Sequence, residues 1–521
     1  MKKKGFPGGR SNRVNIRLLS NPKAISSAGP NFPPSIRPLG LGRKNMTDVV
    51  FFVTGPLPQN TTTQEMPSNT RRVSAVTHLI RPHAPALWQG ACLALFFGLS
   101  LTPSEAQFLP PSDINMLLGG GQSQLGMPPL VLGSPPAAAT TPAPAAPKMD
   151  YTATAGPWGD LRGSYIYLEA PKTLVENFPL PSTQPRWSFP KERASELPAI
   201  LTKAGLAADL VARLISKERL VDEDPYIHML PTVQEVEAMT PQSRSILYTE
   251  LAKVPLNEFY VDPVLIIGTT VEDWYKGSKL RPELIGRIKA LSYSRGETTA
   301  FSDISVLLNY AQSDSEARAI FKSFTRTRSL MVRLYLDKSS NVPEIVAYWS
   351  FGIGIRRKDI EPLIQSIIES ESIHDLPLSH LLPALARKLI YTYPGLDLAK
   401  NGLLPDCHWT SLNFYNFEPH QYLLDSRLAT SQVLESFTAV EPPYQFGDIL
   451  FFLDNSTGDA FHSCVHLADS LVYTKNGRNV LSPWIISTLE DVKKVYLFRG
   501  NGRVQGFRRK DIDAARKNGG E

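Results

Sequence analysis

The chain has 521 residues, long enough for two or three domains with cores of their own. Its formal charge of +6 is unevenly spread: residues 1–106 hold 13 Lys/Arg against 3 Asp/Glu, whereas residues 107–521 hold 42 against 46. The basic excess belongs to the N-terminal fifth, so the remainder carries no charge signature of a nucleic-acid partner, and none is expected.

Residues 1–65 are rich in Pro, Gly, Asn and Thr and lack periodicity. They read as disordered or as an over-long start, with Met46 and Met66 as alternative initiators. Residues 66–106 have the layout of a signal peptide. Arg71, Arg72 and Arg81 precede the apolar run Ala91–Leu101, and Ser104-Glu105-Ala106 follows with small residues at the two positions a signal peptidase reads. The run is shorter than the ~20 residues that span a bilayer. Cleavage near Ala106 is therefore expected, giving an exported protein (periplasmic, cell-envelope or secreted) with no integral membrane segment in the mature chain. Residues 107–150 are Pro-, Ala- and Gly-rich, ending PPAAATTPAPAAP, a composition that tethers and does not pack.

Residues 151–389 read as a mainly helical domain of unassigned role, with order beginning near Trp158. Apolar residues recur at helical spacing over 196–217, after Thr240-Pro241, and over 285–293, 301–310, 358–369 and 381–390. Ser329–Leu336 and Glu344–Ser350 are rich in branched and aromatic residues and read as strands or buried helix. His228, His374 and His380 stand alone. The acidic-aromatic cluster Glu272-Asp273-Trp274-Tyr275 is either a binding patch or ordinary helix packing.

The chemistry concentrates beyond residue 390. Leu404-Pro405-Asp406-Cys407 is a helix-start signature, with Trp409, Leu412 and Tyr415 following at helical spacing. A cysteine in a first turn feels the positive end of the helix dipole, which favours the nucleophilic thiolate. Gly447-Asp448 is a tight turn leading into the buried strand Ile449–Leu453. Next, His462, Cys464 and His466 alternate on one strand face, with Phe461, Ser463, Val465 and Leu467 on the other. Asp469-Ser470 turns the chain into Leu471–Thr474. A thiol on a helix and an imidazole on a strand are the parts of a nucleophile–base pair. Three alternatives remain open. His466 is a rival base. Cys407 and Cys464 could form a disulfide. His462, Cys464 and His466 could ligate a metal, although no fourth ligand with zinc-like spacing appears.

Residues 390–500 resemble the NlpC/P60 superfamily of papain-like cysteine peptidases, which cut cell-wall peptides. The resemblance rests on Tyr393-Pro394-Gly395, Asp406-Cys407, Gly447–Phe452 and His462 through Asp469. It implies an α+β fold, with the cysteine helix packed on a small antiparallel sheet. It also implies Cys407 as nucleophile, His462 as general base, and a third polar residue on the strand after the turn. Counting along that strand points to Thr474, with Asn476 as the alternative. The resemblance places Tyr393 where the family has a tyrosine upstream of the nucleophile, with a structural aromatic as the alternative reading. His408 and Trp409 replace the usual serine and glycine after Asp-Cys. No cofactor or metal is implied, and the implied partner is a cell-wall peptide or another peptide or acyl substrate. The same scaffold could instead serve as a transferase, a thioester hydrolase, or a non-catalytic wall-associated module. Residues 501–521 read as a basic tail.

Overall fold

The computed structural model describes residues 17–18, 149–351 and 354–517. The expected signal peptide, and the leader and tether apart from residues 17–18, 149 and 150, lie outside the described residues. The described chain is mixed α/β with antiparallel sheets. Among the described residues no helix is long and apolar enough to cross a membrane.

The principal sheet runs in the order Phe437–Val440, Gly502–Arg509, Ile449–Asp454, Asp459–Ala468, Leu471–Lys475, Trp484–Thr488. Each of these neighbours pairs antiparallel, and Arg17–Leu18 adds a short parallel pairing to Asp459–Ala460. Its central strands are buried on both faces, which is why Ile449–Leu453 is a continuous apolar run without alternation. One face packs the helix Cys407–Leu412 through Trp409 and Leu412, against Phe451, Val465 and Tyr473. The other, built from Leu450, Phe452, Cys464 and Val472, is closed by the helix Leu489–Tyr496.

Helices cover more of residues 151–389 than strands do, and three antiparallel sheets run among them. Asp160–Leu168 pairs with Thr327–Tyr335 across nine residues, so strands far apart in sequence meet in a way no local window reveals. Ser329–Leu336 lies mostly in that sheet, whereas Glu344–Ser350 falls largely in the helix Val342–Trp349, started by Pro343 and capped by Asn341. The amphipathic stretch 196–217 contains two helices, Leu197–Lys203 and Ala208–Leu214, because the backbone turns left-handed at Gly205 (φ 79°). In the 271–275 helix Trp274 and Tyr275 are buried and Glu272 pairs with Lys289, so the acidic-aromatic cluster is helix packing.

A single apolar core runs across residue 390, from Leu161, Leu330 and Trp349 to Trp409, Phe451 and Trp484. The seam is also polar: Ser329 Oγ donates to the Ile486 carbonyl (3.0 Å) and accepts from its amide (3.1 Å).

The expected basic tail is instead the strand Gly502–Arg509, inside the sheet, followed by the helix Lys510–Lys517. Its arginines suggested solvent, but Arg508 is buried and makes two 2.7 Å bonds to the carboxylate of Asp448. Asp448 also accepts from the Gln445 amide (2.8 Å), which closes the turn before Ile449. That turn needs Gly447, at φ 87°, where a Cβ would meet the Tyr415 hydroxyl at 1.8 Å.

Breaking the Asp448–Arg508 pair strands a buried charge. Asp448→Ala should therefore cost about 3–5 kcal/mol in urea unfolding. A loss below about 1 kcal/mol would mean that the pair is solvated.

Candidate active site

Asp406 caps the Cys407 helix: its backbone is extended and its Oδ1 accepts from the Trp409 amide at 2.8 Å. This holds Cys407 as the first helical residue, buried to 4% exposure. Cys407 lines a cleft with Asp406, His408, Phe461, His462, Gly477, Arg478 and Tyr496. The two residues expected as nucleophile and base therefore share one cleft.

A β-bulge helps to aim the imidazole. Phe452 pairs with His462, but the next residue, Leu453, pairs with Ala460, leaving Phe461 as the extra residue. Strict alternation would have placed Phe461 with Ser463. It packs instead against the Leu450–Phe452–Cys464 cluster. His462 is fully buried, and its ring stacks on Tyr496 at 3.7 Å between centroids and 11° between planes.

Thr474 decides the tautomer of His462. Its Oγ1 lies 3.1 Å from the Ser463 carbonyl oxygen and 3.2 Å from His462 Nε2. A hydroxyl has one proton, and a carbonyl can only accept, so that proton goes to Ser463. Oγ1 then faces the imidazole as an acceptor, and Nε2 must carry the ring proton. Nδ1, buried and without a hydrogen-bond partner, is left as the basic nitrogen. An imidazole set this way can take a thiol proton and stay oriented once cationic.

Electrostatics act in the same direction. Burial alone would push the Cys407 thiol up, but the imidazoles of His408 and His462 outweigh it and bring the thiol down to about 5. His408 Nδ1 lies 3.0 Å from Ser463 Oγ, which donates to the Cys407 carbonyl at 3.1 Å. Trp409 fills the core beneath. These two departures from the family pattern thus have places of their own, one in the cleft and one in the packing.

The remaining candidates separate cleanly. Asn476 makes no hydrogen bond to His462; its Oδ1 accepts from the Tyr496 hydroxyl at 3.4 Å. Tyr393 is not among the cleft residues: it packs against the core of the middle region, with a buried, unpartnered hydroxyl that burial pushes up. His466 has its nitrogens 3.1 Å and 3.0 Å from the carbonyls of Gln445 and Asp469, away from the thiol, and burial lowers its pKa. Cys464 is a free thiol in the apolar cluster, pushed far up by burial, and Cys407 is likewise free. No three metal-ligating side chains converge among the described residues.

Gly477, Arg478 and Tyr496 are the cleft residues that sequence reasoning missed. Tyr496 lies 34 residues beyond His462, and the only local signal is an amphipathic helix opened by Thr488. That helix is also pinned from the middle region, where Arg328 reaches Asp491 in its first turn at 2.9 Å.

No family model, curated protein or solved structure matches this chain.

Two outcomes follow for the rate at which iodoacetamide alkylates Cys407. The thiolate is lost as pH falls through about 5, so the rate should hold its plateau down to near that pH, whereas an ordinary thiol titrates near ~8.5. Thr474→Val removes the acceptor that stabilises cationic His462, a charge-assisted bond worth ~1.5–3 kcal/mol. The midpoint should then rise by about one pH unit or more, while Thr474→Ser stays close to the parent. An unchanged midpoint in Thr474→Val would show that Thr474 does not orient the base.

Proposed function

We propose that this chain is an exported cysteine hydrolase that cleaves an amide bond, with cell-wall peptide as the substrate class. The observation that carries the reading is the pairing, in one cleft, of a first-turn thiol held near pKa 5 with an imidazole whose Nε2 proton is committed to Thr474. The signal-like segment ending near Ala106 and the NlpC/P60-like order of motifs support the exported, wall-directed part.

In this mechanism His462 Nδ1 takes the Cys407 thiol proton, and the thiolate attacks the scissile carbonyl. The Cys407 amide sits at a helix start, where no intrahelical acceptor exists, and donates to the developing oxyanion. Such a donor contributes on the order of 3 kcal/mol. The tetrahedral intermediate collapses as Nδ1 returns the proton to the leaving amine. Water, deprotonated by the same nitrogen, then releases the acyl group and regenerates the thiol. Thr474 holds the ring throughout, and Tyr496 keeps its plane.

The test compares Cys407→Ala and His462→Ala with the parent, using cell-wall peptide fragments and mass spectrometry of the products. Both variants should lose turnover by at least about a hundredfold, and a thiol electrophile should label Cys407 while sparing Cys464. Labelling of Cys407 no faster than an ordinary thiol, with no cleavage by the parent, would leave a non-catalytic module as the correct description. Rapid labelling without cleavage would favour acyl or thioester chemistry instead.

A further inference from the structure

Arg478 reaches the cleft from the loop after the Leu471–Lys475 strand. Its Nη2 lies 3.3 Å from Asp406 Oδ2 and 3.0 Å from the Leu424 carbonyl, which holds the guanidinium against the residue preceding the nucleophile. Its Nε is buried with no hydrogen-bond partner. A buried donor on a permanent cation, left unsatisfied in a residue that lines the cleft, is costly unless a ligand completes it.

The loop itself is built to hold this arrangement. Lys475, fully buried, donates from Nζ to the carbonyls of Gly477 (2.9 Å) and Asn479 (2.7 Å), one on each side of Arg478. Gly477 takes the left-handed conformation that the turn requires (φ 66°). Both flanking carbonyls are thus tied to an interior amine, and the residue between them lines the cleft.

Asp406 is the lone carboxylate among the cleft residues, and its Oδ1 is already engaged by the Trp409 amide.

We propose that Arg478 is a specificity-determining residue that binds a carboxylate on the substrate, close to the scissile carbonyl. The inference rests on the hydrolase reading and deepens it: the preferred acyl substrate is an anionic peptide, and its neutral amide counterpart is disfavoured. The guanidinium offers the planar, multi-donor geometry that suits a carboxylate, whereas an ammonium would act only as a point charge.

Two small electrophiles test this whatever the natural substrate is. Iodoacetate and iodoacetamide react alike, the thiolate displacing iodide to form a C–S bond, and differ in carrying a carboxylate or its amide. The ratio of their rates at Cys407 should exceed the ratio measured for the same thiol in denaturant by about tenfold or more. Arg478→Gln should lower that ratio about tenfold, and Arg478→Lys should recover part of it. If Arg478→Gln slows both reagents equally, Arg478 only props up Asp406 and the inference is overturned. A ratio that does not change in Arg478→Gln overturns it as well, while fast reaction with both reagents leaves the nucleophile assignment standing. If Cys407 reacts with neither reagent, both readings fall together.

Discussion

The register of one strand pair governs the candidate site. Val465 lies opposite Tyr473 and His466 opposite Val472 across the turn at Asp469, which adopts φ 50°. That register puts His462 and Thr474 within hydrogen-bond distance on one side of the sheet. Ser463, on the other side, meets the backbone of Cys407, and Lys475 gathers the loop that carries Arg478. A slip of one residue would exchange the faces, bury the wrong groups and take His462 out of the cleft that Cys407 lines. The apolar neighbours on each face, Val465 and Tyr473 on one and Cys464 and Val472 on the other, oppose such a slip.

Ionisation of a buried thiol is made easier in this cleft. A buried thiol would ordinarily be harder to ionise. Here two imidazoles reverse that tendency, and the pair can exchange a proton without solvent. Lys475 shows the opposite balance: burial dominates and lowers its pKa to about 7, so its carbonyl contacts anchor a loop at limited electrostatic cost. Arg508 solves the same problem on the same sheet with a paired carboxylate. Of these three basic side chains, Arg478, Lys475 and Arg508, it is Arg478 that keeps a buried donor unsatisfied, and it is the one that lines the cleft.

The middle region contributes to the site through the fold. Its strand Thr327–Tyr335 shares a core with the principal sheet, bonds to Ile486 through Ser329 and holds the Tyr496 helix through Arg328 and Asp491. Tyr496 in turn stacks on the His462 ring. A continuous chain of contacts therefore links the middle region to the imidazole of His462.

Much of the local design was legible in the sequence, because its signals are short-range. Asp406 before Cys407, Gly447-Asp448 before an apolar run, and the turn at Asp469-Ser470 each encode a backbone conformation within a few residues. Counting along one strand reached Thr474 because β-structure has a period of two. The bulge at Phe461 and the strand at Gly502–Arg509 escaped, since both depend on pairing with distant partners. So did Tyr496, Arg478 and the separation of Tyr393 from the cleft. The sequence by itself determined where the helix starts, turns and strand alternation fall, because these follow from backbone sterics and local capping. Only the tertiary structure decided which side chains meet, which hydroxyl orients the histidine and which arginine faces the thiol, because those depend on strand register and on the compensation of buried charge.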